Sequence, residues 1–217
     1  MRMQGIPSFR AAGALLCLAA AASTAELVIR DVGLQVAILP TDFDYTVEDP
    51  TVSRSGSDGF DSGYGLTLGG LYSFTRAGDR HGFLAGVGLD VGAYTYEGGG
   101  DMTTFGGSAC GGYGVQLFER LDLRGLVRVG LGVADLSLPA TTTTNALDAT
   151  GGYLAYSAEL GLGYAITDHI VVDASVGYGL SNAALTGDDI DVTLDTSGLR
   201  FALGLAWRLT NTPWRLE

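Results

Sequence analysis

The stretch VDASVGYGL, Val172 to Leu180, alternates without a break. Val172, Ala174, Val176, Tyr178 and Leu180 lie on one face of an extended chain, and Asp173, Ser175, Gly177 and Gly179 lie on the other. A period of two is the mark of a strand with two different surroundings. Residues 199–209 repeat it, with Leu199, Phe201, Leu203, Leu205, Trp207 and Leu209 set against Arg200, Ala202, Gly204, Ala206 and Arg208. Residues 154–166 do the same, and similar alternation runs through 30–40, 63–75, 82–96, 105–118 and 122–136. The pattern predicts eight strands, several longer than the usual ~5–6 residues. Segment 105–118 is the most diluted by Gly.

Short connections centre on Ala77-Gly78-Asp79, Glu119-Arg120-Leu121 and Thr167-Asp168. Longer polar ones cover 42–60, 98–104, 138–150 and 183–195, rich in the Gly, Asp, Ser and Thr of turns. Short and long in alternation predict an antiparallel up-and-down barrel with one trimmed rim and one rim of loops. The 217 residues fit one all-β unit, and a formal charge of -12 with no Lys opposes electrostatic binding to nucleic acid.

The composition of the weaker face decides what surrounds the barrel. A soluble barrel would show water a face of Lys, Glu, Asn and Gln. Here that face is mostly Gly, Ala and Ser, and mean hydropathy is +0.26. Small residues suit a narrow interior, so the apolar face must point outwards into lipid. The aromatic residues Tyr64, Tyr72, Phe74, Phe83, Tyr156, Tyr164, Phe201 and Trp207 fall mostly towards strand ends, as girdles at two membrane boundaries would. The alternative is a secreted soluble barrel or sandwich.

Residues 1–25 read as a cleavable signal peptide. Arg2 and Arg10 flank an apolar run from Ala11 to Ala22, and Ser23-Thr24-Ala25 supplies small residues before Glu26. The run is shorter than the ~20 residues of a spanning helix, and Leu16 weakens a lipoprotein reading at Cys17. Removal leaves ten Arg against 24 acids, a charge of -14, and Cys110 as the remaining thiol. With one thiol, no internal disulfide is expected. Residues 26–217 are then one barrel domain, with strands over roughly 30–209 and a short tail from 210 to 217.

The whole pattern resembles the small eight-stranded bacterial outer-membrane barrels of OmpA/OmpX type. The segment Gly204-Leu205-Ala206-Trp207-Arg208-Leu209 is similar to the last-strand signal by which such barrels are recognised for insertion, although here the chain continues past Leu209 to Glu217. The resemblance implies a bacterial outer-membrane location and long connections facing outside the cell. It also implies contact with lipid and lipopolysaccharide, and with the barrel-assembly machinery during insertion. A monomer is expected. The peptidoglycan-binding domain of longer relatives has no counterpart in this sequence.

Three constellations could carry chemistry. Asp90, Arg124, Arg128, Glu159, Asp173 and Arg200 fall on the inward face, together with Arg208. Hairpin counting puts Arg128 near Glu159, brings Arg200 to the same level, and sets Asp173 two strands from Arg124. Lone charges in a narrow interior are costly, so opposite charges at one height should pair as a plug; a gated ion path is the alternative. Second, many acids crowd the long connections, and Asp188, Asp189 and Asp191 offer hard oxygen ligands for Ca²⁺ or Mg²⁺. They lack the spacing and bidentate Glu of a calcium loop, which favours a solvated acidic rim. Third, His81 and His169 are the only histidines, both at short connections and distant from an inward Ser, so neither reads as catalytic. Gly86-Val87-Gly88 and Gly130-Leu131-Gly132 precede no helix, so no nucleotide or other cofactor is expected. These readings predict a non-enzymatic barrel presenting acidic loops, with a narrow channel and a lipid A-modifying enzyme as alternatives.

Overall fold

A computed structural model describes residues 26–48, 51, 53–75, 80–96, 99–139, 146–187 and 190–209. The expected signal peptide, Asp188, Asp189 and the tail from 210 lie outside these residues. Ten antiparallel strands form one sheet: β1 (Glu26–Ile38), β2 (Asp42–Glu48), β3 (Ser53–Gly59), β4 (Ser62–Thr75), β5 (His81–Tyr96), β6 (Gly100–Phe118), β7 (Leu121–Leu138), β8 (Leu147–Ala165), β9 (Ile170–Gly187) and β10 (Ile190–Arg208). The order is β1-β4-β5-β6-β7-β8-β9-β10, closed into a ring by β1 against β10. Strands β2 and β3 continue from β10 as an added hairpin.

The expected count of eight is therefore corrected to ten. The ring itself has eight members, and the extra pair comes from segment 42–60, expected as a loop. Polar Ser and Asp residues in SRSGSDG hide the β pattern there, yet Phe43, Tyr45 and Val47 alternate in β2 and pack inwards. Closure is also less complete than a simple barrel, since β3 pairs on one side only and forms an edge. Strand β10 makes the handover possible: Phe201 to Arg208 pair with β1, and Asp191 to Thr196 pair with β2. Between them Gly198 takes a positive φ of 157° where Pro40 crosses close by, and a Cβ there would lie 3.2 Å from the proline.

Most of the other expected long loops are strand as well. Segment 183–195 is nearly all β9 and β10, and β8 begins at Leu147. Ladder hydrogen bonds continue past the lipid level because the wall there has a core on its inner side.

The outward residues are apolar through the middle of the ring: Leu203 is 67% exposed, Leu160 62% and Val176 44%. From Leu154 to Tyr164 on β8 is ten residue steps, about 33 Å of strand and about 25 Å of membrane normal at ~40° tilt. That matches a lipid band. Towards the end carrying β2–β3, both faces change character. On β7 the outward series passes from Leu131 and Val133 to Asp135 and Ser137, while the inward series passes from Arg124 and Arg128 to Ala134 and Leu136. Strands β8, β9 and β10 switch likewise. Above the lipid the outside is wet, so the apolar core moves inside, where Phe43, Phe60, Tyr94, Met102, Leu136, Leu185 and Leu194 form one cluster.

Candidate functional site

The lumen at lipid level is crossed by two groups of charges, placed by the registers β7–β8, β8–β9 and β9–β10. In the lower group Arg124 Nη1 lies 2.8 Å from Asp173, and its Nη2 lies 3.1 Å from Asp122 and 3.4 Å from Asp31. Arg208 reaches Asp31 at 3.1 Å and Asp122 at 3.7 Å. Strands β1 and β7 stand opposite each other in the ring, so the Arg124–Asp31 pair is a strut across the full width. In the upper group Glu159 accepts from Arg200 Nη1 and from Ser157 Oγ at 2.7 Å, and Arg128 Nε lies 3.5 Å away. Arg128 Nη1 also donates to Ser108 Oγ at 3.2 Å.

These side chains are buried; those of Glu159, Asp31 and Arg124 are 3%, 4% and 8% exposed. Carboxylate and guanidinium at such burial depend on each other, because separating them would leave a charge far from water. The arrangement sets paired charges across the lumen, and a space of about 110 Å³ lined by Asp31, Gln35, Arg124, Glu159 and Asp173 remains among them. Gln35 adds to the crossing, donating from Nε2 to Ser175 Oγ at 3.4 Å.

One expected member stands apart. Asp90 accepts from Thr67 Oγ1 at 2.6 Å and has no ion pair among the described residues. The register explains it: Asp90 pairs with Gly106, which pairs with Gly132, four positions along β7 from Arg128. Two residues that sequence reasoning left out, Asp31 and Asp122, carry the lower group. Asp122 shares the parity of Arg124 and Arg128, and Asp31 that of Gly33 and Gln35, so the signal was present in the alternation.

The family model for the outer membrane protein beta-barrel domain matches residues 10–214. The chain belongs to this family. It is a protein of the bacterial outer membrane. Similar solved structures include OprG from Pseudomonas aeruginosa, at 14% identity over 86% of this chain and 97% of that chain, with a TM-score of 0.45. Neisserial surface protein A is 14% identical over 82% of this chain and 97% of that one, with a TM-score of 0.43. Ail of Yersinia pestis is 18% identical over 83% and 99%, with a TM-score of 0.38. No curated protein matches the chain.

In this outer-membrane barrel the remaining candidates fall at the two ends. His81 Nδ1 and the Tyr113 hydroxyl are 2.6 Å apart, and the His169 and Trp207 rings stack at 5.6 Å. Both histidines sit at the short-turn end, where Trp207 and Tyr113 are half-exposed on the outer wall. At the other end exposed acids accept from hydroxyl or amide donors across a strand pair: Thr150 to Asp135 at 2.6 Å, Ser137 to Asp148 at 2.7 Å, Asn182 to Asp195 at 2.7 Å. Asp191 accepts from Thr186 at 2.9 Å, and its expected companions Asp188 and Asp189 lie outside the described residues. Among the described residues no group of three His, Cys, Asp or Glu is arranged to hold a metal.

Proposed function

We propose that this chain is a non-enzymatic surface barrel: its lumen is closed by ion pairs, and its work is done by the acidic collar at the β2–β3 end. The observation that carries this reading is the Arg124–Asp31 strut between opposite strands, which takes the lumen out of use and leaves the outer surface as the part that meets partners. The collar comprises Asp44, Asp101, Asp135, Asp148, Asp191 and Asp195, all exposed on strands that rise above the lipid band. In the proposed orientation it faces the outside of the cell. Like-signed carboxylates at that height repel lipopolysaccharide phosphates directly and contact them through shared divalent ions, or take a basic partner. The barrel works as a monomer inserted through its last strand by the assembly machinery. The histidines play no catalytic part, since each is engaged at the opposite rim.

The narrow channel is the second reading, favoured by the incomplete ring above the lipid, where β3 is an edge. Planar-bilayer recording separates the two. The closed barrel gives no unitary conductance at neutral pH, and steady openings of the wild-type protein would replace it with the channel. Binding to lipopolysaccharide vesicles with and without Ca²⁺ tests the collar; equal binding with EDTA and with Ca²⁺ counts against it.

A further inference from the structure

Beside the apolar cluster at the β2–β3 end lies a space of about 200 Å³ that neither the ion pairs nor the exposed collar uses. Four aromatic side chains line it: Phe43, Tyr45, Phe60 and Tyr96. Phe43 and Tyr45 come from the inward face of β2, Phe60 follows β3, and Tyr96 ends β5. The Phe43 ring centre lies 4.6 Å from Phe60, 6.3 Å from Tyr45 and 6.5 Å from Tyr96. Interplanar angles from 38° to 85° keep these rings from stacking flat on one another. Gly56 stands opposite Tyr45 in the β2–β3 ladder and makes room for its ring, since a Cβ there would lie 2.7 Å from the hydroxyl. Phe43 and Phe60 are buried, whereas Tyr45, Tyr96 and Leu147 are half-buried and mark the open side.

Asp58 is the charged residue of this lining. It faces Phe43 across the ladder, and Arg54, on the same strand face, stands beyond the lining. The Tyr96 hydroxyl donates to Asp58 Oδ2 at 2.5 Å, and the Gly59 N–H donates to Oδ1 at 2.8 Å. A carboxylate and the faces of aromatic rings both attract positive charge. Each Asp58 oxygen already accepts a hydrogen bond. The wall therefore suits a cation that carries no N–H donors over an ammonium that needs three acceptors.

We propose that this space binds a quaternary ammonium group of choline type. The methyl groups pack against the rings and against Leu147 and Val192, while Asp58 balances the charge from the side. Size agrees: a core cavity of ~150 Å³ accepts benzene, and a trimethylammonium group is of similar bulk. An anion is disfavoured by Asp58 and by the acidic collar at the same end. Such a site needs neither a closed lumen nor ion bridging by the collar, so its test is independent of theirs.

The full barrel, with Leu and Val methyls labelled, is placed in nanodiscs of phosphatidylethanolamine and phosphatidylglycerol, which contain no choline, and titrated with choline chloride. Wild-type protein gives saturable shifts of the Leu147 and Val192 methyl signals and cross-peaks from them to the choline N-methyls. The neutral isostere, with a tert-butyl group in place of trimethylammonium, binds at least tenfold more weakly. Asp58→Asn keeps an oxygen for Tyr96 and removes the charge; it weakens choline about tenfold and leaves the isostere unchanged. Tyr45→Leu removes one ring and weakens choline severalfold in a barrel that still folds, as shown by its gel mobility. Equal binding of choline and the isostere to the wild-type barrel would overturn the proposal. Unchanged choline affinity in Asp58→Asn, or shifts at Leu147 and Val192 that are absent or never saturate, would overturn it as well. Binding of Asp58→Asn to lipopolysaccharide vesicles reports separately on the collar.

Discussion

Replacing Arg124 with Leu removes the strut at its centre. The guanidinium holds Asp173, Asp122 and Asp31 at 2.8, 3.1 and 3.4 Å with its own side chain 8% exposed. After the substitution Arg208 is the remaining base of that group among the described residues, and the group's charge falls by one. Breaking a buried pair by deleting one partner costs about 3–5 kcal/mol. Asp173 and Arg208 keep 19% and 17% exposure, so water enters as the Arg leaves and the lower end, about 3 kcal/mol, is expected. With a urea slope of ~2 kcal/mol per M for a chain of this kind, the unfolding midpoint drops by about 1.5 M. The assay is reversible urea titration in lipid vesicles, read by Trp fluorescence and by the different gel mobility of folded and unfolded barrel. Arg124→Lys, which keeps the charge and loses the planar fork, recovers about half of the loss. A midpoint shift below about 0.3 M for Arg124→Leu would refute the reasoning, since that is the scale of a substitution at an ordinary surface.

Glu159→Gln leaves Arg128 and Arg200 without their shared carboxylate; we expect about 3 kcal/mol of destabilisation in the same titration and the appearance of small conductance steps in planar bilayers. Leu160→Arg, on the outward face at mid-band, costs about 2–4 kcal/mol in vesicles, and the same urea midpoints measure it. Gly112→Val forces a side chain into the Gly125 carbonyl of the neighbouring strand, so the folded fraction after dilution into vesicles falls sharply while Gly111→Ala, with space around it, folds normally. Trp207→Ala removes the partner stacked on His169 and an anchor at the short-turn boundary, lowering the midpoint by an amount equivalent to about 1–2 kcal/mol.

The ring was legible in the chain because a wall with lipid on one side and a narrow lumen on the other imposes a two-residue period strand after strand. Val172 to Leu180 and Leu199 to Leu209 carry that period in full. The hairpin of β2 and β3 was hidden because its outward face is Asp and Ser, which read as turn chemistry when the inward Phe43, Tyr45 and Val47 are overlooked. The same cause concealed the outer halves of β8, β9 and β10. A wall that leaves the membrane exchanges its polar and apolar faces without changing period, so Asp135 and Leu136 look like a break when they are a continuation.

The charge groups divide along similar lines. Counting residues through a hairpin locates neighbours on adjacent strands, which is how Arg128, Glu159 and Arg200 fall at one level. Contacts across the ring, such as Arg124 to Asp31, depend on the curvature and tilt of the whole wall and leave no mark in local spacing. Asp90 shows the converse: it shares the inward parity but lies too far along its strand to reach either group.

The orientation of the wall supports every other conclusion, and a nitroxide scan tests it most directly. Cys is placed singly at each of positions 199–206 in a Cys110→Ser background, and collision with oxygen dissolved in the bilayer is measured for each label. The account predicts high oxygen accessibility at Leu199, Phe201, Leu203 and Leu205 and low accessibility at Arg200, Ala202, Gly204 and Ala206. Maxima at the even positions, or a flat profile, would contradict it.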